Sequence, residues 1–199
     1  MFGKAMNKAQ RLLLPFFCAL LAGPVFIVLH EWGHVMAARS VGWGAKLQFA
    51  ETRFDVPKEK FTQRRNVLVT IAGPLVQILL AVAGFLWLRT SRVHRLSTVV
   101  TPGDWVATTL VLNVGRWLRS FAGSPSHPLS DDEAFISRAM GLPGWLLPYF
   151  LGLVAIVAIV ATIRLHPPGA RLIPFLTWSV GGVVGFFLWM KVAGPFLLP

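Results

Sequence analysis

The sequence has little charge and almost no cysteine, and each shortage excludes a class of protein. Charged residues make up 14% of the 199 residues, whereas roughly 25% is usual for a soluble domain. Hydrophobic residues make up 55%, and the mean hydropathy is +0.63. The single cysteine, Cys18, excludes an intramolecular disulfide. The composition therefore argues against a soluble domain and predicts a chain that lies in a lipid bilayer.

Long runs without charge support this prediction. Four runs are near or above the roughly 18 to 20 apolar residues that cross a hydrocarbon core, and they cover residues 12–29, 67–88, 139–163 and 172–190. A shorter run in segment 104–121 predicts a fifth crossing, because its polar end can line an interior. The sequence predicts an all-α membrane protein with four to five transmembrane helices.

Acidic residues are scarce, which leaves a net charge of +11. Basic proteins often bind nucleic acid, but here the lysines and arginines flank the apolar runs, as Arg11, Arg89 and Arg164 illustrate. Helix ends meet lipid headgroups in this way. The expected partner is therefore the bilayer, and no nucleic-acid partner is expected.

The chain is predicted to form a single integral membrane domain, residues 1–199. Residues 45–65 are polar, and their loose alternation predicts one or two short strands in an insert after the first span. A loop rich in Gly, Pro and Ser precedes residue 131. Ser130 is predicted to cap a short helix that begins at Asp131, since acidic residues suit a helix N-terminus.

The motif His30-Glu31-Trp32-Gly33-His34 lies at the end of the first apolar run and matches H-E-x-x-H. Residues four apart share a helix face, so both imidazoles can bind one Zn²⁺. Glu31 lies beside them, where it can take a proton from water. An ionisable group at the bilayer centre costs at least about 2.5 to 3.5 kcal/mol. Three polar side chains in this helix therefore need compensation, and a metal supplies it.

A third ligand is expected, because zinc hydrolases usually have three protein ligands. If the second span crosses away and segment 104–121 returns, the end of that segment lies on the motif's side. The opposite side then holds His94, Asp104 and His166. The candidates on the motif's side are His127, Asp131, Asp132 and Glu133, with Glu51, Asp55 and Glu59 in the insert. The cluster at 131–133 is favoured, since the carboxylates of the insert lie among basic residues.

The chain resembles the site-2 proteases, a family of intramembrane zinc metalloproteases. The resemblance rests on FIVLHEWGHVMAA, residues 26–38, and on VLVTIAGPLVQILLA, residues 67–81, with its Gly-Pro pair. In that family the H-E-x-x-H helix is followed by a polar insert, a Gly-Pro helix and a helix that leads to an aspartate ligand. Order and spacing agree over residues 12–140, the expected metalloprotease core, while residues 141–199 form a C-terminal transmembrane hairpin outside it.

The resemblance implies one zinc ion per chain at His30 and His34, with Glu31 as general base. It implies hydrolysis of a peptide bond in or near a transmembrane segment of a protein substrate. The third ligand it implies is Asp131, with Asp132 as second choice, because Ser-Asp-Asp stands where relatives have an Asp-Gly pattern. Asn113 matches an Asn of the family pattern, which makes it a candidate substrate-binding residue.

Two alternatives stay open. The first is a non-proteolytic zinc-binding membrane regulator or scaffold, although such a protein has no need of Glu31. The second is an unrelated membrane zincin with a Glu third ligand, which would be Glu133. Besides the substrate and the bilayer, an accessory or regulatory membrane protein is a further expected partner.

Charge also predicts an orientation for this multi-pass protein. The insert carries six basic residues, which favours an insert and active site near the cytoplasmic face. Lys4, Lys8 and Arg11 favour the opposite orientation. The cytoplasmic arrangement is preferred, in part because the family resemblance implies it.

Overall fold

A computed structural model describes residues 7–95, 100–121 and 131–199 of the chain. In chain order its helices are α1 (Lys8–Ser40), α2 (Gln63–Arg95), α3 (Pro102–Leu112), α4 (Asp132–Ala139), α5 (Leu146–Leu165), α6 (Leu172–Leu188) and α7 (Gly194–Leu197). Within the described ranges, four helical segments are long and apolar enough to cross a membrane, namely Leu12–Ser40, Gln63–Ser91, Leu146–Leu165 and Pro168–Leu197. The prediction of an all-α membrane protein is confirmed.

The polar insert forms the small sheet that its alternation predicted. Strands β1 (Gly44–Leu47) and β2 (Thr52–Asp55) pair antiparallel. The sheet is fixed at two places. Trp43 packs on Ala38 and Val69 in a small apolar core at the end of α1. The turn between the strands bonds to the C-terminal segment, because the indole Nε1 of Trp189 donates to the carbonyl of Phe49 at 2.8 Å.

The segment predicted as a fifth crossing, 104–121, is not a single long helix. Helix α3 gives way to a 3₁₀ helix, Asn113–Phe121. At rises of about 1.5 and 2.0 Å per residue the two pieces together extend roughly 34 Å. At one end Trp105 packs on His166, with ring centroids 5.1 Å apart, and at the other Arg116 contacts His30. The segment therefore returns to the motif's end of the bundle, and Asp104 and His166 lie at the opposite end, as predicted.

Helices α1 and α6 run parallel and in close contact. Gly181 lies against the backbone of Phe16, and Gly185 lies against the backbone of Leu20. A Cβ atom at Gly185 would overlap the carbonyl oxygen of Leu20. Small residues allow this approach, which supplies van der Waals contact where lipid provides no hydrophobic drive for helix association.

Gly185→Ala should lower the stability of the detergent-solubilised protein by about 1 to 3 kcal/mol, because the added methyl group forces the two backbones apart. Gly182→Ala is the matched control, since its Cβ would meet the Cβ of Ala19 at an ordinary 4.0 Å. Thermal unfolding of the two variants and the wild type measures the difference. Equal midpoints for both variants would contradict this account of the α1–α6 contact.

Candidate metal centre

Three side chains converge where α1, α2 and α4 meet. Among the described residues His30, His34 and Asp132 form a group whose ligand atoms all lie within 4.8 Å of one another. The Oδ2 atom of Asp132 lies 3.0 Å from His30 Nε2 and 3.2 Å from His34 Nε2, and the two Nε2 atoms are 3.2 Å apart. Both histidines are buried, at 4% and 5% exposure.

The helices bring these groups together for simple reasons. Residues 30 and 34 are one turn apart on α1, so their imidazoles point to one side. Asp132 is the first residue of α4 and reaches the histidines from a helix about 100 residues later in the chain. Burial by itself raises the pKa of Asp132, but its hydrogen bonds to the histidines outweigh burial and hold that pKa well below its usual range. The carboxylate is therefore ionised, as a metal ligand must be.

The spacing of these atoms fits a metal ion. Ligand atoms that surround an ion tetrahedrally at about 2.0 to 2.1 Å lie roughly 3.3 Å from one another, close to the separations found here. His34 Nδ1 lies 2.8 Å from the carbonyl oxygen of Val69, which can only accept, so Nδ1 carries the proton. Nε2 is then the ring nitrogen of His34 that faces Asp132: it donates a hydrogen bond to that carboxylate when it carries a proton, and it offers its lone pair to a metal ion when it does not.

Gly73 on α2 closes the other side of the site. A Cβ atom at this position would overlap Nε2 of His34 and would lie 2.7 Å from Cε1 of His30. Any other residue would thus fill the space in front of the histidines. Gly33 allows α1 to approach α2 closely, since a Cβ atom at this position would lie 2.7 Å from the carbonyl oxygen of Ala72. Gly73 of the Gly-Pro pair and Gly33 of the motif therefore both have a packing reason.

Asp131, the first choice for the third ligand, is not brought to the histidines. It occupies the N-cap of α4, with extended backbone, and its Oδ2 atom pairs with Arg119 at 2.9 Å. The helix begins one residue later than predicted, so the side chain one position further along points into the site. Asp132, the second choice, lies beside the two histidines instead. His127 and Ser130 lie outside the described residues.

Glu31 stands beside the ligand group without being part of it. Its Oε2 atom accepts a hydrogen bond from Thr52 Oγ1 at 2.9 Å. Thr52 opens strand β2, and its hydroxyl also lies 3.1 Å from the backbone carbonyl of Glu31. The insert therefore holds the carboxylate of the predicted general base, a contact that the sequence pattern did not reveal.

A cavity of about 650 Å³ contains the ligand group and Glu31. Its polar end is lined by the insert, where Glu51 and Thr52 stand. Its apolar end runs between α1 and α6 and is lined by Phe26 and Phe186. The space therefore reaches from a polar surface into the apolar part of the bundle.

A polar wall of the cavity comes from α2 and the 3₁₀ helix. Asn113 is buried; its Nδ2 donates to the carbonyls of Gln77 and Leu110, while its buried Oδ1 has no hydrogen-bond partner among the described residues. Arg116 donates to Gln77 Oε1 at 3.1 Å and lies beside His30. Asn113, the predicted substrate-binding residue, thus lines the cavity. Arg116 was predicted only as part of a polar end that can line an interior, and no catalytic or binding role was predicted for it.

Comparisons with known proteins identify no relative, since no protein-family model, no curated protein and no solved structure matches the chain. Functional inference therefore depends on the geometry of this site.

Asp132→Ala and His34→Ala should each bind much less metal than the wild type, because two protein ligands hold an ion much less tightly than three. Asp131→Ala should keep it, since that carboxylate pairs with Arg119 instead. Elemental analysis of protein purified in detergent without chelators gives metal per chain. Loss in Asp131→Ala with retention in Asp132→Ala would restore Asp131 as the ligand.

Gly73→Ala should also abolish metal binding, although it changes no ligand, because the methyl group occupies the space in front of both histidines. Gly115→Ala is the control, since a Cβ at that position would have no atom of the described residues within 4 Å. The metal content of both variants, measured after gel filtration to confirm folding, checks this. A normal metal content in Gly73→Ala would show that α2 does not close the site.

Proposed function

We propose that this chain is a zinc endopeptidase that hydrolyses a peptide bond in or near a transmembrane segment of a protein substrate. Its zinc ligands are His30, His34 and Asp132, and Glu31 is its general base. Two imidazoles and a carboxylate are a donor set that suits Zn²⁺ and leaves a position open for a substrate or water.

The observation that carries the proposal is the position of the ligand group within the cavity. The cavity joins the polar insert to a space between α1 and α6 that is lined by apolar side chains, among them Phe26 and Phe186. A peptidase for soluble peptides has no need of a site that reaches between apolar helices. A substrate with an apolar transmembrane segment can occupy both the polar and the apolar end of this cavity.

A bound zinc ion supplies a Lewis acid that makes water more acidic and polarises a carbonyl group. Glu31 takes a proton from the attacking water and later delivers it to the nitrogen of the leaving amine. Thr52 holds one oxygen of the Glu31 carboxylate, which orients the group toward the cavity. Asn113 lines the cavity close to the ligand group and contributes to substrate binding there.

A substrate helix must unwind before it can be cut, because its carbonyls are engaged in hydrogen bonds within the helix. The paired strands β1 and β2 offer an edge to which an unwound segment can add as a further strand. Thr52 belongs to β2 and contacts Glu31, so a strand added there would lie close to the general base. The proposal includes a multi-pass topology with this end of the bundle near the cytoplasmic face.

Observations on Glu31 and Glu133 bear on the two alternatives. A metal-binding scaffold does not require a carboxylate beside the ligands, yet Glu31 is held there by Thr52. A zincin with a Glu ligand would need Glu133 at the histidines. The Oε1 atom of Glu133 instead accepts a hydrogen bond from Trp117 Nε1 at 2.7 Å, and Glu133 stands outside the ligand group.

The proposal predicts that Glu31→Gln abolishes proteolysis without loss of zinc, because Glu31 is outside the ligand group. Membranes from cells that express the wild type or the variant are labelled at new protein N-termini and compared by mass spectrometry. Termini within or beside transmembrane segments should appear with the wild type and vanish with Glu31→Gln. His34→Ala should match Glu31→Gln in activity while lacking zinc.

Identical termini in the wild type and Glu31→Gln would refute the proposal and leave the scaffold as the better account. New termini confined to soluble domains would refute the part that concerns transmembrane segments.

A further inference from the structure

Arg116 places a positive charge directly beside the candidate metal centre. Its Nη1 atom lies 3.0 Å from Nδ1 and 3.2 Å from Nε2 of His30. The same atom donates to Gln77 Oε1 at 3.1 Å. The side chain is 24% exposed and lines the space that a substrate would occupy.

This cation is held in place by its hydrogen bond to Gln77 and by an ion pair with the buried Glu133. Among the described residues, the carboxylate nearest to its guanidinium is that of Glu133, at 3.7 Å from Nη2. That separation is longer than a hydrogen bond, and the same Oε1 atom already accepts from Trp117. An arginine in the interior of a membrane domain is costly and most often serves a function. Its planar fork retains N–H groups that can bind a further oxygen.

We propose, on the basis of the peptidase function above, that Arg116 donates hydrogen bonds to the carbonyl oxygen of the scissile bond and stabilises the charge that develops there. The water oxygen bonds to the carbonyl carbon, the carbonyl π electron pair moves onto oxygen, and Glu31 receives the proton. When that pair returns, the C–N bond breaks and Glu31 delivers the proton to nitrogen. Arg116 is then a catalytic residue, since a preorganised cation stabilises the negative oxygen without rearrangement.

A second use of a cavity arginine would be to bind the terminal carboxylate of a peptide, as an exopeptidase requires. The position of Arg116 favours the scissile carbonyl. Its Nη1 atom touches a ligand residue itself, whereas a carboxylate one residue beyond the scissile bond would lie about 3.3 to 3.6 Å further along an extended chain. Contact with His30 places the guanidinium at the reacting group.

The test uses the full-length protein in detergent, loaded with Co²⁺, and inorganic phosphate as a tetrahedral oxyanion. Phosphate binding is followed by the visible absorption of the cobalt. Arg116→Gln should weaken phosphate binding about tenfold or more, the loss expected when a charged hydrogen-bond donor is removed. Arg39→Gln is the matched control, because Arg39 is exposed at the same end of α1 and does not line the cavity.

Unchanged phosphate affinity in metal-loaded Arg116→Gln would overturn the proposal, and so would an equal loss in Arg39→Gln. If Arg116→Gln is not recovered with metal, Arg116→Lys decides in its place. Lysine keeps the charge but lacks the planar guanidinium, which can donate to Gln77 and to an oxyanion at the same time. Weaker phosphate binding in Arg116→Lys supports the proposal, and unchanged binding overturns it.

With a cleaved substrate in hand, Arg116→Gln should lower kcat while KM changes little, because the oxygen carries its full charge only in the transition state. A rise in KM with unchanged kcat would contradict the proposed role. The phosphate experiment separates this inference from the proposed function. Oxyanion binding that depends on Arg116, without any Glu31-dependent cleavage, would refute the peptidase and leave the anion site intact.

Discussion

The close approach of α2 to the face of α1 that carries the histidines is the constraint on which the site depends. Gly33 and Gly73 allow it, since a Cβ at either position would meet backbone or imidazole atoms of the other helix. The approach also brings the carbonyl of Val69 within 2.8 Å of His34, which fixes the tautomer of that ring. Wider helix spacing would lose this hydrogen bond and open the site to additional ligands.

The remaining elements add charge to a space that α1 and α2 define. Helix α4 contributes Asp132, the insert holds Glu31, and the 3₁₀ helix contributes Arg116. Ionised groups inside an apolar bundle are tolerated when they compensate one another and bind a cation. The same arrangement that makes the polar cluster stable therefore makes it suited to a metal ion and to an oxygen that gains negative charge.

Local patterns were enough to predict the four long helices, the strand pair and the shared helix face of His30 and His34, because each of these depends on spacing along a short stretch. The return of segment 104–121 to the motif's end was also predictable, since connected spans alternate in direction. The choice between Asp131 and Asp132 could not be predicted, because a shift of one residue in the start of a helix turns a side chain by about 100°. The contacts of Thr52 and Arg116 depend on how distant elements pack, which no short pattern encodes.

X-ray absorption at the zinc edge of the purified protein tests the central claim most directly. The account predicts nitrogen and oxygen ligands at about 2.0 to 2.1 Å, with the scattering signature of two imidazoles and no sulfur. A sulfur shell near 2.3 Å would implicate Cys18, and a single imidazole would exclude the pairing of His30 with His34. Either result, or protein that holds no metal when purified without chelators, would contradict the site described above.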